Sequence, residues 1–166
     1  MWFRLIRTSL LYAKKLSITA KSVAAVFNHM DRLLGRETFK KLFPVILTDN
    51  GSEFSDPLKI EVDSNGEIRT RIFYCQTNRP DQKGNIEVSH EFIRRVIPKG
   101  KSLDQFTQDD INLMMSHINS YNRLKLNDRC PYDLFKFLYS EKILIRLGLK
   151  RIATDEVNLT PKLLKQ

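Results

Sequence analysis

Two carboxylates in this chain stand where side chains can do chemistry. Asp49 closes the run Val45-Ile46-Leu47-Thr48 and is followed by Asn50-Gly51, so an acid is carried to the end of a short apolar strand. At the edge of a core such a group meets a ligand, a metal or a substrate, or serves as a turn acid beside Asn50-Gly51. Glu87 comes 38 positions later, in the first turn of a helix introduced by Pro80-Asp81-Gln82-Lys83-Gly84. There it can hold a ligand or complement the positive end of the helix dipole. Four basic side chains accompany it: Arg79 and Lys83 in the preceding loop, His90 and Arg94 on the helix face of Glu87. Each can meet a DNA phosphate, and each also suits a solvated surface. Glu91 reads as a surface acid paired with Arg94 or Arg95.

The elements around these residues follow from periodicity. Val23, Val26, Phe27, Met30, Leu33 and Leu34 form one apolar stripe, which predicts a helix capped by Thr19 and stopped by Gly35. Phe43 to Asp49 reads as a short strand, apolar on both faces and so central in its sheet. Asn65-Gly66, between two β-rich runs, predicts a hairpin. After the polar loop 76–84 a second helix runs from about Asn85 to Ile97, with Pro98 closing it. Thr107 opens a third helix, with Asp109 and Asp110 in its first turn and Ile111, Met114, Met115, Ile118 and Tyr121 along its stripe. A basic loop leads to a short helix near Pro131, and residues 140–166 read as a short helix with a polar tail. Residues 3–16 suggest one or two strands. His29 and His117 read as structural, and the Met114-Met115 pair as core. Strand, helix and buried strand in succession predict α/β packing rather than a bundle.

The bulk numbers set the frame. With 166 residues the chain suits a single domain, 1–166, able to bury a real core. It carries 28 Lys plus Arg against 19 Asp plus Glu, a net charge of +9, which favours polyanionic partners, nucleic acid first among them. Cys75 and Cys130 are too few for a disulfide framework and lack metal-ligand spacing. No apolar run approaches the roughly 20 residues of a membrane span, and the basic residues scattered through 1–16 fit a signal peptide poorly. A cytoplasmic protein with no membrane partner is the expectation.

In their order along the chain, "FPVILTDNGSEFSDPLKIE", "RPDQKGNIE", "HINSYNR" and "CPYDLF" resemble the catalytic cores of the DDE transposases and retroviral integrases, in particular bacterial insertion-sequence transposases. The resemblance spans roughly residues 10–165. It implies a ribonuclease H-like mixed sheet flanked by helices, a core at about 3–122 and a C-terminal helical extension at about 123–166. It also implies catalytic and metal-binding roles for Asp49 and Glu87, the second and third acids of the family's triad. Such enzymes use two Mg²⁺ (or Mn²⁺) ions to stabilise the attacking and leaving oxygens of a phosphodiester transfer, and Mg²⁺ prefers carboxylate oxygens. Partners implied are transposon-end and target DNA and further copies of the protein.

The family's first acid lies on a strand before the helix that here begins near Thr19. Residues 1–18 contain no Asp or Glu, and Asp31, the first acid of the chain, falls within the helix beside Met30. The expectation is therefore an N-terminally truncated or decayed core with crippled strand transfer. A competing reading is a non-catalytic remnant that binds DNA or a full-length transposase and inhibits it. A third is a helix-turn-helix repressor built on residues 107–139, which leaves the strand-rich first half unexplained.

Overall fold

The structure is a computed structural model, and it describes residues 19–48, 50–75, 91–101 and 105–164. The described residues fall into two compact units, one within Ala13–Lys83 and one within Gly84–Gln166. The segment 3–16, read as strands, lies outside the described residues.

The first unit opens with helix α1, Ala20–Leu34. Thr19 caps it reciprocally: its hydroxyl accepts from the Ser22 N–H while the Ser22 side chain accepts from the Thr19 N–H. Val26, Phe27, Met30 and Leu34 are buried along its stripe, as the spacing predicts. Gly35, at φ 81, ends the helix where a side chain would be strained. A second helix, α2 (Arg36–Leu42), restarts at once with Gly35 as its N-cap, and it was not expected. Phe39 stacks on Phe43 with ring centroids 4.8 Å apart and meets Phe27 edge-on at 6.5 Å, which seats α2 on the core.

Strand β1, Val45–Thr48, pairs in parallel with β2, Arg71–Tyr74, in the register Val45 to Arg71 through Thr48 to Tyr74. The register partners Ile46 and Ile72 are buried, while Leu47 and Phe73 are 43% and 55% exposed. Apolar residues on both faces of β1 therefore do not mean burial on both faces.

The stretch between the strands departs from the expected hairpin. Leu58–Glu61 is a helical turn, α3, because Pro57 enters it already at φ −62, ψ −32 and Lys59 pairs with Asp56 at 2.6 Å. The chain does reverse at Asn65-Gly66, with Gly66 at φ 80, but only Val62 and Ile68 bridge antiparallel. Downstream, β2 takes β1 as its partner, held by the Arg71 N–H donating to the Pro44 carbonyl at 3.2 Å and the Ile72 N–H donating to the Glu61 carboxylate at 2.8 Å.

The second unit holds a helical segment at 91–96, then α4 (Gln108–Ser120), α5 (Pro131–Leu138) and α6 (Glu141–Arg146). Thr107 and Asp110 form a capping box at the start of α4. Ile111, Met114, Met115 and Ile118 are buried, so the methionine pair is core. The tail is more than polar coil. Residues 149–158 form a strap along α4: Lys150 and Ile152 donate backbone N–H groups to the hydroxyls of Ser116 (3.0 Å) and Ser120 (2.9 Å), and Asn158 donates to His117 Nδ1 at 3.1 Å. His117 is thus structural, as expected, and its burial lowers its pKa. No helix among the described residues is long and apolar enough to cross a membrane.

Candidate metal and nucleic-acid site

The strand end that carries Asp49 is fixed on both sides. Thr48 is 1% exposed, and its carbonyl accepts the Cys75 N–H at 2.7 Å, extending the β1–β2 ladder to its last residue. On the far side Gly51 opens a single 3-10 turn, Ser52–Phe54, closed by the Phe54 N–H donating to the Gly51 carbonyl at 2.9 Å. The Tyr74 hydroxyl then donates to the Phe54 carbonyl at 2.6 Å, tying the end of β2 to the turn. Parallel pairing makes this possible, because both strands run out at the same rim.

Gly51 does not serve the tight left-handed turn that Asn50-Gly51 suggests: its φ is −63 and its ψ 147. A Cβ at this position would lie 2.5 Å from the Glu53 carboxylate folded over it, the far end of a flexible side chain. Glu53, half-buried four residues after Asp49, is an acid at the same rim that sequence reasoning passed over.

Asp49, Glu87, Arg79, Lys83 and His90 lie outside the described residues. Arg94 is described: it is exposed on the 91–96 segment, whose Phe92 and Val96 are buried. Glu91 pairs with Arg95 at 2.7 Å rather than with Arg94, and the Arg95 guanidinium also lies over the Phe92 ring, 5.1 Å from its centroid. Among the described residues no three His, Cys, Asp or Glu side chains gather so as to hold a metal ion. As for the ion that the resemblance implies, Asp49 and Glu87 offer oxygen donors of the kind Mg²⁺ takes.

Sequence reasoning also missed the ion-pair cluster that links α1 to the 63–69 turn. Asp31 occupies the apolar stripe of α1 and is 8% exposed, with Arg69, 2% exposed, 3.3 Å from its carboxylate. Arg36 reaches Asp31 at 3.2 Å and Glu67 at 3.1 Å, and makes a short contact with Asp63. Arg69 donates further to the carbonyls of Ile60 (2.8 Å) and Lys59 (3.2 Å), so its donors are met by protein acceptors. Its guanidinium stands 5.5 Å from the Phe39 ring centroid. The hydrogen bond from Arg36 holds the Asp63 carboxyl below the usual carboxylate range, and burial lowers the pKa of Arg69 against the pull of Asp31. This cluster pins the 63–69 turn to α1 and so places β2 beside β1. An acid on an apolar stripe was the one signal that could have announced it.

Comparison with known proteins gives the family context. The transposase for insertion sequence element IS4351 of Bacteroides fragilis is 26% identical over 102 residues, 61% of this chain and 30% of that protein. Transposase InsI for insertion sequence element IS30A of Escherichia coli K12 is 26% identical over 88 residues, 53% of this chain and 22% of that protein. The ORF3 product of Spiroplasma virus SpV1-R8A2 B, provisionally designated an integrase, is 30% identical over 90 residues, 54% of this chain and 27% of its own length. The chain thus spans about a third or less of these relatives. No family model and no solved structure matches it. Over about half its length, this chain is similar to the transposases of bacterial insertion sequences.

Proposed function

We propose that the chain is part of a DNA transposition machine of the DDE type, with Asp49 and Glu87 as two carboxylate ligands for divalent metal. The observation that carries this reading is similarity to insertion-sequence transposases in a chain whose strand β1 ends one residue before an acid in the sequence. The ribonuclease H-like architecture belongs to the proposal, supported by an α/β unit whose small sheet is parallel. Bound Mg²⁺ or Mn²⁺ supplies charge stabilisation to the attacking and leaving oxygens of a phosphodiester. Thr48 and Gly51, on either side of Asp49 in the sequence, are both hydrogen-bonded, which supports a site needing little reorganisation when an ion binds. Arg94, Arg79, Lys83 and His90 are the proposed phosphate contacts, and the charge of +9 suits DNA.

A second reading is favoured by one specific observation. Residues 1–18 hold no Asp or Glu, so no first acid precedes α1 within this chain. These 166 residues alone then bind DNA, or associate with a full-length transposase, without cutting. Mn²⁺ binding followed by electron paramagnetic resonance tests the metal site: Asp49→Asn or Glu87→Gln abolishes a site that the unchanged chain shows. Equal Mn²⁺ binding by all three proteins overturns the ligand assignment. A cleavage assay on transposon-end DNA separates the two readings, since the remnant leaves the DNA intact in Mg²⁺ and in Mn²⁺.

A further inference from the structure

We propose that the second unit carries a nucleobase pocket selective for a guanine edge, where the end of α4, the loop 122–128 and the strap meet. A cavity of about 390 Å³ opens there, lined by Tyr121, Asn122, Leu124, Asp128, Thr154 and Val157. Its volume falls within the range of small-ligand sites, about 300–1,000 Å³. The lining combines three things a base requires. Tyr121, 40% exposed, provides an aromatic ring on which a base can stack. Leu124 and Val157 provide apolar edges. A carboxylate such as that of Asp128 only accepts hydrogen bonds, while the Asn122 amide both donates and accepts.

That polar pair reads a particular edge. Guanine presents two adjacent N–H donors, at N1 and N2, beside a carbonyl acceptor. A carboxylate takes the two donors and an amide N–H meets the carbonyl. Adenine presents an acceptor where guanine has its N1–H, and cytosine presents one amino group followed by two acceptors. Against a carboxylate, both leave lone pairs facing each other.

The walls are set before any ligand arrives. Asn127 and Asp128 both hold left-handed backbone, at φ 53 and 56, a conformation that Asn and Asp adopt more readily than most residues. They are kept there by the Asn127 N–H donating to the Leu124 carbonyl at 3.0 Å and the Asp128 N–H donating to the Arg123 carbonyl at 3.1 Å. The Arg123–Arg129 bridge closes the loop. On the opposite wall, Thr154 and Val157 lie between two anchors of the strap, Ile152 on Ser120 and Asn158 on His117. Lys125 and Arg129, both exposed on the same loop, suit the phosphate of a nucleotide. The pocket shares no residue with Asp49 or Glu87 and needs no divalent ion, so it stands or falls apart from the transposition reading.

The test titrates the full chain with GMP, AMP, CMP and UMP in the presence of a chelator, followed by backbone amide NMR. GMP is expected to give saturable shifts at Tyr121, Asn122 and Asp128, with about tenfold preference over AMP, toward the low end of what a bidentate contact discriminates. Asp128→Asn, which keeps the left-handed backbone tolerable, is expected to remove that preference while leaving the far-ultraviolet circular dichroism unchanged. Tyr121→Leu is expected to weaken all the nucleotides that bind. Absence of saturable shifts at these residues at millimolar GMP, or binding equal for all four nucleotides and indifferent to Asp128→Asn, overturns the proposal.

Discussion

Asp31 shows how much one side chain can carry. It lies on the apolar stripe of α1 between Phe27 and Leu34 and is the only carboxylate that meets buried Arg69 among the described ion pairs. Asp31→Ala leaves the Arg69 charge buried with carbonyl acceptors alone. Chemical denaturation is expected to show a loss of about 3 kcal/mol, typical when one partner of a buried pair is removed. Asp63 gives this unit an acid limit. Its carboxyl is held low mainly by the Arg36 hydrogen bond, so the folded form binds a proton less readily than the unfolded chain. The contribution is complete above the ordinary carboxylate value of about 4 and fades as pH falls through the depressed value. Acid titration of the native fold is expected to show this loss, and Arg36→Met is expected to move Asp63 back toward the ordinary value. Gly51→Ala is expected to cost little stability, because the Glu53 carboxylate can rotate away.

At the scale of elements, caps and straps decide where segments begin and what they touch. Thr107→Ala removes the side-chain half of the α4 capping box and is expected to lower stability by about 1 kcal/mol, read by thermal or urea unfolding. The strap depends on neutral His117, whose Nδ1 accepts the Asn158 N–H; Glu156 also faces it, with a weaker pull in the opposite sense. Burial lowers the His117 pKa below its ordinary value of about 6.5. The strap's hold is therefore full above that value and weakens as pH falls below it, when the unfolded chain takes up the proton first. The hydrogen-exchange protection factors at residues 150–158 are expected to fall between pH 7.5 and 5.5, and His117→Gln is expected to flatten the change.

These elements also show what periodicity and turn chemistry made readable. Helices α1 and α4 were legible with their caps, because Thr19 and Thr107 precede unambiguous apolar stripes. Strand β1 and the starts of α5 and α6 were legible for similar reasons. Helix α2 was not, since Arg36–Leu42 is only seven residues long and its burial rests on two aromatic contacts made after folding. The arm at Leu58–Glu61 misled because β-rich composition was outweighed by Pro57 and a local ion pair. The strap was invisible: its hydrogen bonds join residues 32 to 41 positions apart, and no local pattern encodes them. Of the candidate site, Arg94 came out exposed as read, and the turn after β1 gained contacts that only folding reveals, Tyr74 on the Phe54 carbonyl and Glu53 over Gly51.

For the whole molecule, charge and likeness point the same way. A chain of net +9 similar to insertion-sequence transposases is expected to bind duplex DNA with an affinity that falls steeply as salt rises. Arg94→Ala is expected to weaken binding uniformly across sequences and to lower the salt slope by roughly 1, measured by fluorescence anisotropy. A salt-independent interaction indifferent to Arg94 speaks against a phosphate contact there.

The parallel exit of β1 and β2 at one rim has a practical corollary. Cys130 is sealed from solvent, whereas Cys75 is half-buried directly beside Thr48. A maleimide dye or spin label therefore reacts at Cys75 first and reports from the doorstep of Asp49 without any engineered handle. If Asp49 holds Mn²⁺ as proposed, the paramagnetic ion is expected to quench such a label, which turns a native thiol into a ruler for the metal.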